Sequence, residues 1–266
     1  MTQRTLPALP FPLADHRPSR EAFAQLLTAD PAARILLLHG PESEAGKTRL
    51  LEHCFARLPS HVENVLIDMK HVLHPADELF SLLRLQLAGA LPKLMAAWQA
   101  KASPLFPVTG NRLIGVNNTL EVTITIDPQD ARATLTEAFF ADSVALPRLL
   151  LIAIDSYEQA SAAAKDWVAG PFLTRVAHVN MVRVVIAGRE VPQPSGRWSA
   201  YCGPVQTLEP VTQPAEWKRL IEEMGRQVGS ADPDGTLVEI CRALGKNTSL
   251  LMRWIEQQLP RATVPA

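Results

Sequence analysis

Residues 35–51 read ILLLHGPESEAGKTRLL. The opening aliphatic run is too short for a buried helix and too continuous for a strand with one face in water. It predicts a central parallel strand over 34–39. A polar stretch follows, and then Gly46-Lys47-Thr48 at the mouth of an apolar helix expected over 47–58. Strand, loop and helix in this order build a phosphate-binding loop. Backbone N–H groups and the helix N-terminus surround an anion, a lysine reaches the outer phosphates, and a hydroxyl takes the metal. Lys47 and Thr48 hold those positions, and Gly40, Glu44, Ala45, Gly46 and Arg49 complete the candidate contact set. The spacing departs from the usual G-x-x-x-x-G-K-[ST] by one extra residue, since Pro41 to Ala45 all separate Gly40 from Gly46. None of the intervening residues is glycine, and Glu42 and Glu44 bring negative charge to an anion site. Two readings stand at this point: a loop that binds nucleotide, or one that only starts a helix.

Outward from the loop the chain alternates. Residues 1–18 are proline-rich and expected to be extended, and 19–30 to be a helix capped by Ser19 with Phe23, Leu26 and Leu27 on one face. Strands are expected over 62–70 (VENVLIDMK), 148–155 (RLLLIAID), 182–189 (VRVVIAGR) and 203–210 (GPVQTLEP). An amphipathic helix over 75–98 breaks near Gly89 or Pro92, and another helix covers 128–145. Between them, 104–127 is rich in turn formers and then alternates in LEVTITI, which predicts an exposed strand or hairpin in an insertion. From Gln213 onward the pattern is helical only. Strands alternating with helices mean an α/β fold with a parallel sheet, here an α/β domain over 1–210 followed by a small helical subdomain over 211–266.

Two further strands end in chemistry. Asp155 closes a buried run, where a carboxylate can hold Mg²⁺ through water, and Glu158 stands three residues on, where it can polarise an attacking water. The plainer alternative is that Asp155 caps the next helix. Arg189 closes VRVVIAGR, placed either to stabilise a γ-phosphate or to pair with Glu190 on the surface.

The composition excludes several classes. Among 266 residues the formal net charge is -1, which lacks the basic excess of a general nucleic-acid binder. Cys54, Cys202 and Cys241 match no metal or redox spacing. His71 and His74 lack a third ligand at suitable spacing, and no G-x-S-x-G elbow occurs. The five tryptophans are dispersed, as core or interface anchors are. Prolines interrupt the N-terminal stretch where a signal peptide needs a continuous apolar segment, and no run reaches bilayer length, so a cytoplasmic protein with no membrane partner is expected.

The order of loop, IDSYE, VVIAGR and helical tail resembles STAND-type P-loop ATPases, the AAA+-related group that contains NACHT and NB-ARC switches. NRLIGVNNTLEVTITID, LTEAFFAD and LLLIAIDSYEQA are similar to short bacterial STAND-like proteins of effector-associated conflict systems, some of them considered inactive. The resemblance covers about residues 13–260. It implies a P-loop NTPase sheet of about five strands of the additional-strand type, with ATP and Mg²⁺ as cofactors and the helical tail as a lid. It also implies Lys47 and Thr48 on phosphates and magnesium, Asp155 and Glu158 as Walker B residues, and Arg189 as sensor. LADHRPSREAFAQLL is similar to the family's adenine-side segment, which implies His16 and Arg17 near the base. The family's lid often carries G-x-P, whereas this chain has GKNTSLL at 245–251. No winged helix or repeat follows the lid, so the resemblance implies that sensing and output lie in a partner chain or are absent.

Three functions follow as expectations. One is an ATP-binding molecular switch, with weak or no hydrolysis, that controls a protein effector or its own assembly in a bacterial antiviral defence setting. Another is a nucleotide-free scaffold of the same fold for protein–protein interaction. A small-molecule kinase ranks below both, because it needs a basic mobile lid and this tail is as acidic as it is basic.

Overall fold

The computed structural model describes residues 13–28, 33–42, 45–71, 75–102, 128–244 and 247–260. The strand expected within 104–127, together with Glu44 and His74, falls outside the described residues. The described residues form a five-stranded sheet from β1 (Ile35–His39), β2 (Val62–Asp68), β3 (Leu149–Asp155), β4 (Val182–Gly188) and β5 (Gln206–Thr207). Its order is β2-β3-β4-β1-β5, and every neighbouring pair is parallel. β4 is therefore inserted between the loop strand β1 and the carboxylate strand β3, the additional-strand arrangement.

Parallel strands need crossovers, and the helices α1 (Arg17–Leu26), α2 (Lys47–Phe55), α3 (Pro75–Leu87), α4 (Pro92–Ala102), α5 (Pro128–Ser143), α6 (Ala162–Trp167) and α7 (Leu173–Val176) supply the layers. Side chains alternate across each strand. Ile35, Leu37, Ile152, Ile154, Val184 and Ile186 join one core with Phe80, Phe139 and Phe172. Leu36, Leu38, Leu151, Ala153, Val185 and Ala187 join another with Phe23, Leu50 and Leu51. Burial on both faces is why these strands read as unbroken aliphatic runs. The edge strand β2 alternates instead, with Val65 and Ile67 buried and Leu66 40% exposed.

α1 begins two residues before Ser19, after His16 in the left-handed region and with Pro18 in its first turn. Ser19 is therefore a buried member of the helix and not its cap. The helix expected over 75–98 breaks where proposed, with a 3₁₀ turn at Ala88–Ala90 ahead of Pro92. The tail forms α8 (Pro214–Glu223), α9 (Pro233–Ala243) and α10 (Thr248–Gln258). They enclose a third core of Trp217, Leu220, Ile221, Leu237, Leu251 and Ile255, joined by Ala14 from ahead of α1.

Candidate functional site

All five strands point their carboxyl ends the same way, so the turns that leave them gather at one end of the sheet, where ligands of open α/β folds bind. Register places His39 beside Gly188 and Asp68 beside Asp155 at that end.

After Gly40 the chain passes exposed Pro41 and Glu42 and returns at Ala45, which is fully buried in the α1–α2 core. Gly46 takes φ +84° and caps α2, a left-handed conformation that costs glycine nothing. The glycine that a positive φ calls for thus stands at the last loop position. Leu50 N–H donates to the Gly46 carbonyl at 2.8 Å. The N–H groups ahead of it face the loop without helical partners, as an anion site requires.

Lys47 is 7% exposed. Its Nζ donates to the carbonyls of Gly40 and Glu42, both at 2.8 Å. Burial pushes the ammonium below its usual pKa, and the charges of Glu158 and Asp155 oppose that shift. Thr48 Oγ1 donates to Asp155 Oδ2 at 2.6 Å, and Ser156 N–H donates to Asp155 Oδ1 at 2.8 Å. Burial raises the Asp155 carboxyl above its usual value against those two hydrogen bonds, and neighbouring Asp68 adds to the rise. Asp155 is no helix cap, since Ser161 holds that place on α6 and accepts the Ala164 N–H. A hydroxyl beside a carboxylate is an oxygen donor pair that fits Mg²⁺, which completes its octahedron with water and phosphate. Among the described residues no group of three His, Cys, Asp or Glu side chains is placed to hold a metal alone.

Glu158 and Arg189 are brought together, and to each other. Glu158 Oε2 accepts the Arg189 N–H at 2.8 Å, and Oε1 accepts Nε at 3.2 Å. Burial would raise the Glu158 carboxyl, but the Arg189 amide and guanidinium outweigh it and hold it below its usual value. Glu190 pairs instead with Lys165 at 3.1 Å, which removes the Arg189–Glu190 alternative.

His16 is 7% exposed, and its Nε2 lies 3.4 Å from where a Cβ on Gly46 would stand. Arg17 does not join the site. It is exposed and bonded to Glu21 on its own helix at 2.8 Å. Arg49 reaches Glu52 at 3.5 Å and Glu256 of α10 at 3.3 Å. Among the described residues the non-glycine positive-φ positions are Asp15, His16 and Ser156, and all three flank the site, where backbone strain concentrates.

Three residues were missed by sequence reasoning. Asp68 ends β2 beside Asp155, and Lys70 lies close enough to act on the charge of both Asp155 and Lys47. LIDMK carried a weaker form of the signal in LLLIAID, an apolar stretch ending in a carboxylate. Thr248, at the start of α10, approaches Gly46 and had no signal beyond the capping Asn247. A cavity of about 210 Å³, lined by Glu63, Leu87, Gly89, Ala90, Leu146, Pro147, Arg148 and Leu150, opens at the amino ends of β2 and β3. It lies away from the loop, and the phosphate-site residues take no part in it.

No protein-family model and no curated protein matches the chain by sequence. Solved structures do match in shape. A Walker-type ATPase of Pyrococcus abyssi aligns at TM-score 0.50 and 14% identity, over 92% of this chain and 68% of that one. The ORC1 protein of Aeropyrum pernix, solved in complex with DNA, aligns at 0.52 and 16%, over 94% of this chain and 61% of that one. Cdc6p from Pyrobaculum aerophilum aligns at 0.54 and 12%, over 96% and 63%. The chain thus spans less than two thirds of the last two. At these identities the likeness carries the fold alone, a five-stranded parallel sheet flanked by helices that matches the P-loop NTPase α/β fold.

Proposed function

We propose that the chain binds ATP with Mg²⁺ at the 40–48 loop and acts as a STAND-like switch operated by binding, with slow or no hydrolysis. The observation that carries this reading is the convergence of Lys47 and Thr48, at the start of α2, with Asp155, at the end of β3. The Thr48 hydroxyl lies 2.6 Å from a buried carboxylate, as a magnesium-phosphate site requires. Lys47 would leave the Gly40 and Glu42 carbonyls for phosphate oxygens, and Thr48 and Asp155 would hold the cation. Bound Mg²⁺ would neutralise charge on the outer phosphates.

Slow turnover is supported by Glu158, whose two oxygens each accept a hydrogen bond from Arg189, which ties the carboxylate to Arg189 and lowers its strength as a base. A ligand can drive a switch by its differential affinity for two states, without hydrolysis. The resemblance supports ATP over GTP, a defence setting, and output through a protein effector or self-association. A cytoplasmic location and the absence of a direct nucleic-acid partner are part of the same proposal.

The scaffold reading has one observation in its favour, since the Lys47 amine already satisfies the loop carbonyls unaided. Thermal unfolding with and without Mg-ATP separates the two. Saturating ligand at a hundredfold excess over Kd adds about 2.7 kcal/mol to the native state, so the wild-type midpoint is expected to rise and Lys47→Ala to lose the rise. Protein purified free of nucleotide and showing no rise in either form would establish the scaffold.

A further inference from the structure

The sheet has an open side at β2. Among the described residues β2 pairs only with β3, and a strand edge left open is a template for another strand. The ladder fixes which backbone groups face that side. Leu150 N–H donates to the Met181 carbonyl and so turns toward β4. Alternation along β3 then turns Leu151, Ala153 and Asp155 toward β2. In the observed register it turns Asn64, Leu66 and Asp68 away from β3, with their N–H and C=O groups on the open side. Their side chains share one face of the sheet, because Val65 and Ile67 take the other. Leu66 is 40% exposed there, although it stands mid-strand between buried Val65 and Ile67. Leu85 of α3, whose Leu79 and Leu83 share a core with Val65 and Ile67, is 69% exposed as well.

We propose that β2 pairs with β2 of a second copy of this chain across a two-fold axis through Leu66, joining two sheets into one. A two-fold axis makes the pairing antiparallel and self-complementary. With the axis at Leu66, Leu66 faces its own copy and Asn64 faces the second copy's Asp68. Both are hydrogen-bonded pairs, since each member presents its N–H and C=O to the joint. The two leucines cover each other. The Asn64 amide donates to an Asp68 carboxylate whose Oδ1 is held by the Lys70 N–H at 3.1 Å, leaving Oδ2 to accept. On the opposite face Val65 meets Ile67. Moving the axis to Val65 or Ile67 sets Leu66 against Asn64 or Asp68 instead, apolar against polar. The joint is short, over 64–68 of each copy, and small interfaces are weak, which predicts a micromolar dimer. The pairing needs no ligand and does not rest on the nucleotide reading.

The test is sedimentation equilibrium of the empty full chain over a concentration series, beside Leu66→Lys, Leu66→Cys and Asn64→Cys. Wild type is expected to show a monomer–dimer equilibrium. Leu66→Lys sets like charges across the axis and is expected to weaken the dimer at least about tenfold, while the monomer melts as wild type does. Hydrogen-bonded antiparallel pairs stand about 5.5 Å apart at Cα, within disulfide reach, so mild oxidation is expected to link Leu66→Cys into dimers. Asn64→Cys, which faces Asp68, and wild type, with its three native cysteines, are expected to stay unlinked. A dimer indifferent to Leu66→Lys overturns the proposal, and Asn64→Cys linking as readily as Leu66→Cys overturns the axis at Leu66. Wild type that stays monomeric overturns the proposal too, and exchange of the Leu66 amide then names the occupant. Protection assigns the edge to another segment of this chain, and fast exchange leaves the edge uncovered.

Discussion

Asp155 is where the demands of the site and of the fold oppose each other. It is 3% exposed and burial holds its carboxyl above the usual range. The empty folded protein therefore holds that proton more tightly than the unfolded chain does. The contribution of Asp155 favours folding below the ordinary carboxylate value and is lost as pH rises through the folded one. At neutral pH the charge is a cost that a bound cation would relieve. Asp155→Asn keeps an acceptor for Thr48 and removes the charge. The empty variant is expected to melt above wild type at pH 7, with the gap narrowing as pH falls toward the folded-state value, and to lose the Mg²⁺-dependent part of any ATP stabilisation. A lower melting temperature at pH 7 would mean that the Thr48–Asp155 bond holds the fold and awaits no cation. Asp155, like Lys47 and Thr48, was legible because its signal is local: a residue type at the end of a buried run or the mouth of a helix. The partners of these residues were not legible. Nothing local foretells that Lys47 Nζ turns to the Gly40 and Glu42 carbonyls, or that Glu158 and Arg189, 31 positions apart, hold each other.

Strand β4 shows the same division at the scale of an element. Its seven residues are all buried, so VRVVIAG reads as a central strand from hydrophobicity alone. Arg183 within it defies that pattern and is reconciled by carbonyl acceptors, those of Leu26 at 2.9 Å, Asn180 at 2.6 Å and Val182 at 3.0 Å. β5 lies at the other extreme, since of the strand expected over 203–210 only Gln206 and Thr207 pair, with Leu38 and His39. The end of β4 is built around Gly188, where a Cβ would stand 2.4 Å from the Glu190 carbonyl oxygen and 2.8 Å from Glu158 Oε2. The first of these neighbours is backbone and cannot swing aside. Gly188→Ala is expected to destabilise the protein by about 2 kcal/mol or more, as overpacking at a close approach does. It should also part Glu158 from Arg189. Equilibrium urea unfolding measures the first effect, and a midpoint within error of wild type would mean that the β4 turn relaxes freely.

At the scale of the whole molecule, one short segment joins two bodies of apolar packing. Leu13 is buried in the α1–α2 core and Ala14 in the core of the helical tail, and the left-handed pair Asp15 and His16 follows at once. Neighbouring residues thus anchor in separate cores, and the strained turn beyond them carries the nitrogen that meets the loop. We propose that the boundary near residue 211, expected from the end of the strand pattern, is a line along which the molecule opens. Trp217 tests it. The side chain is fully buried among α8, α9 and α10, and its Nε1 donates to the Val211 carbonyl at 2.9 Å. Trp217→Ala removes the largest member of that core, at a cost of about 3–5 kcal/mol. Two separable cores predict that the loss stays local, because regions open with their own free energies. Amides over 214–258 are expected to lose exchange protection while those of β4 keep theirs, and affinity for Mg-ATP is expected to fall because α10 no longer holds Thr248 against Gly46. If β4 amides lost protection in parallel, sheet and tail would unfold as one cooperative unit, and the nucleotide could not act by moving one against the other.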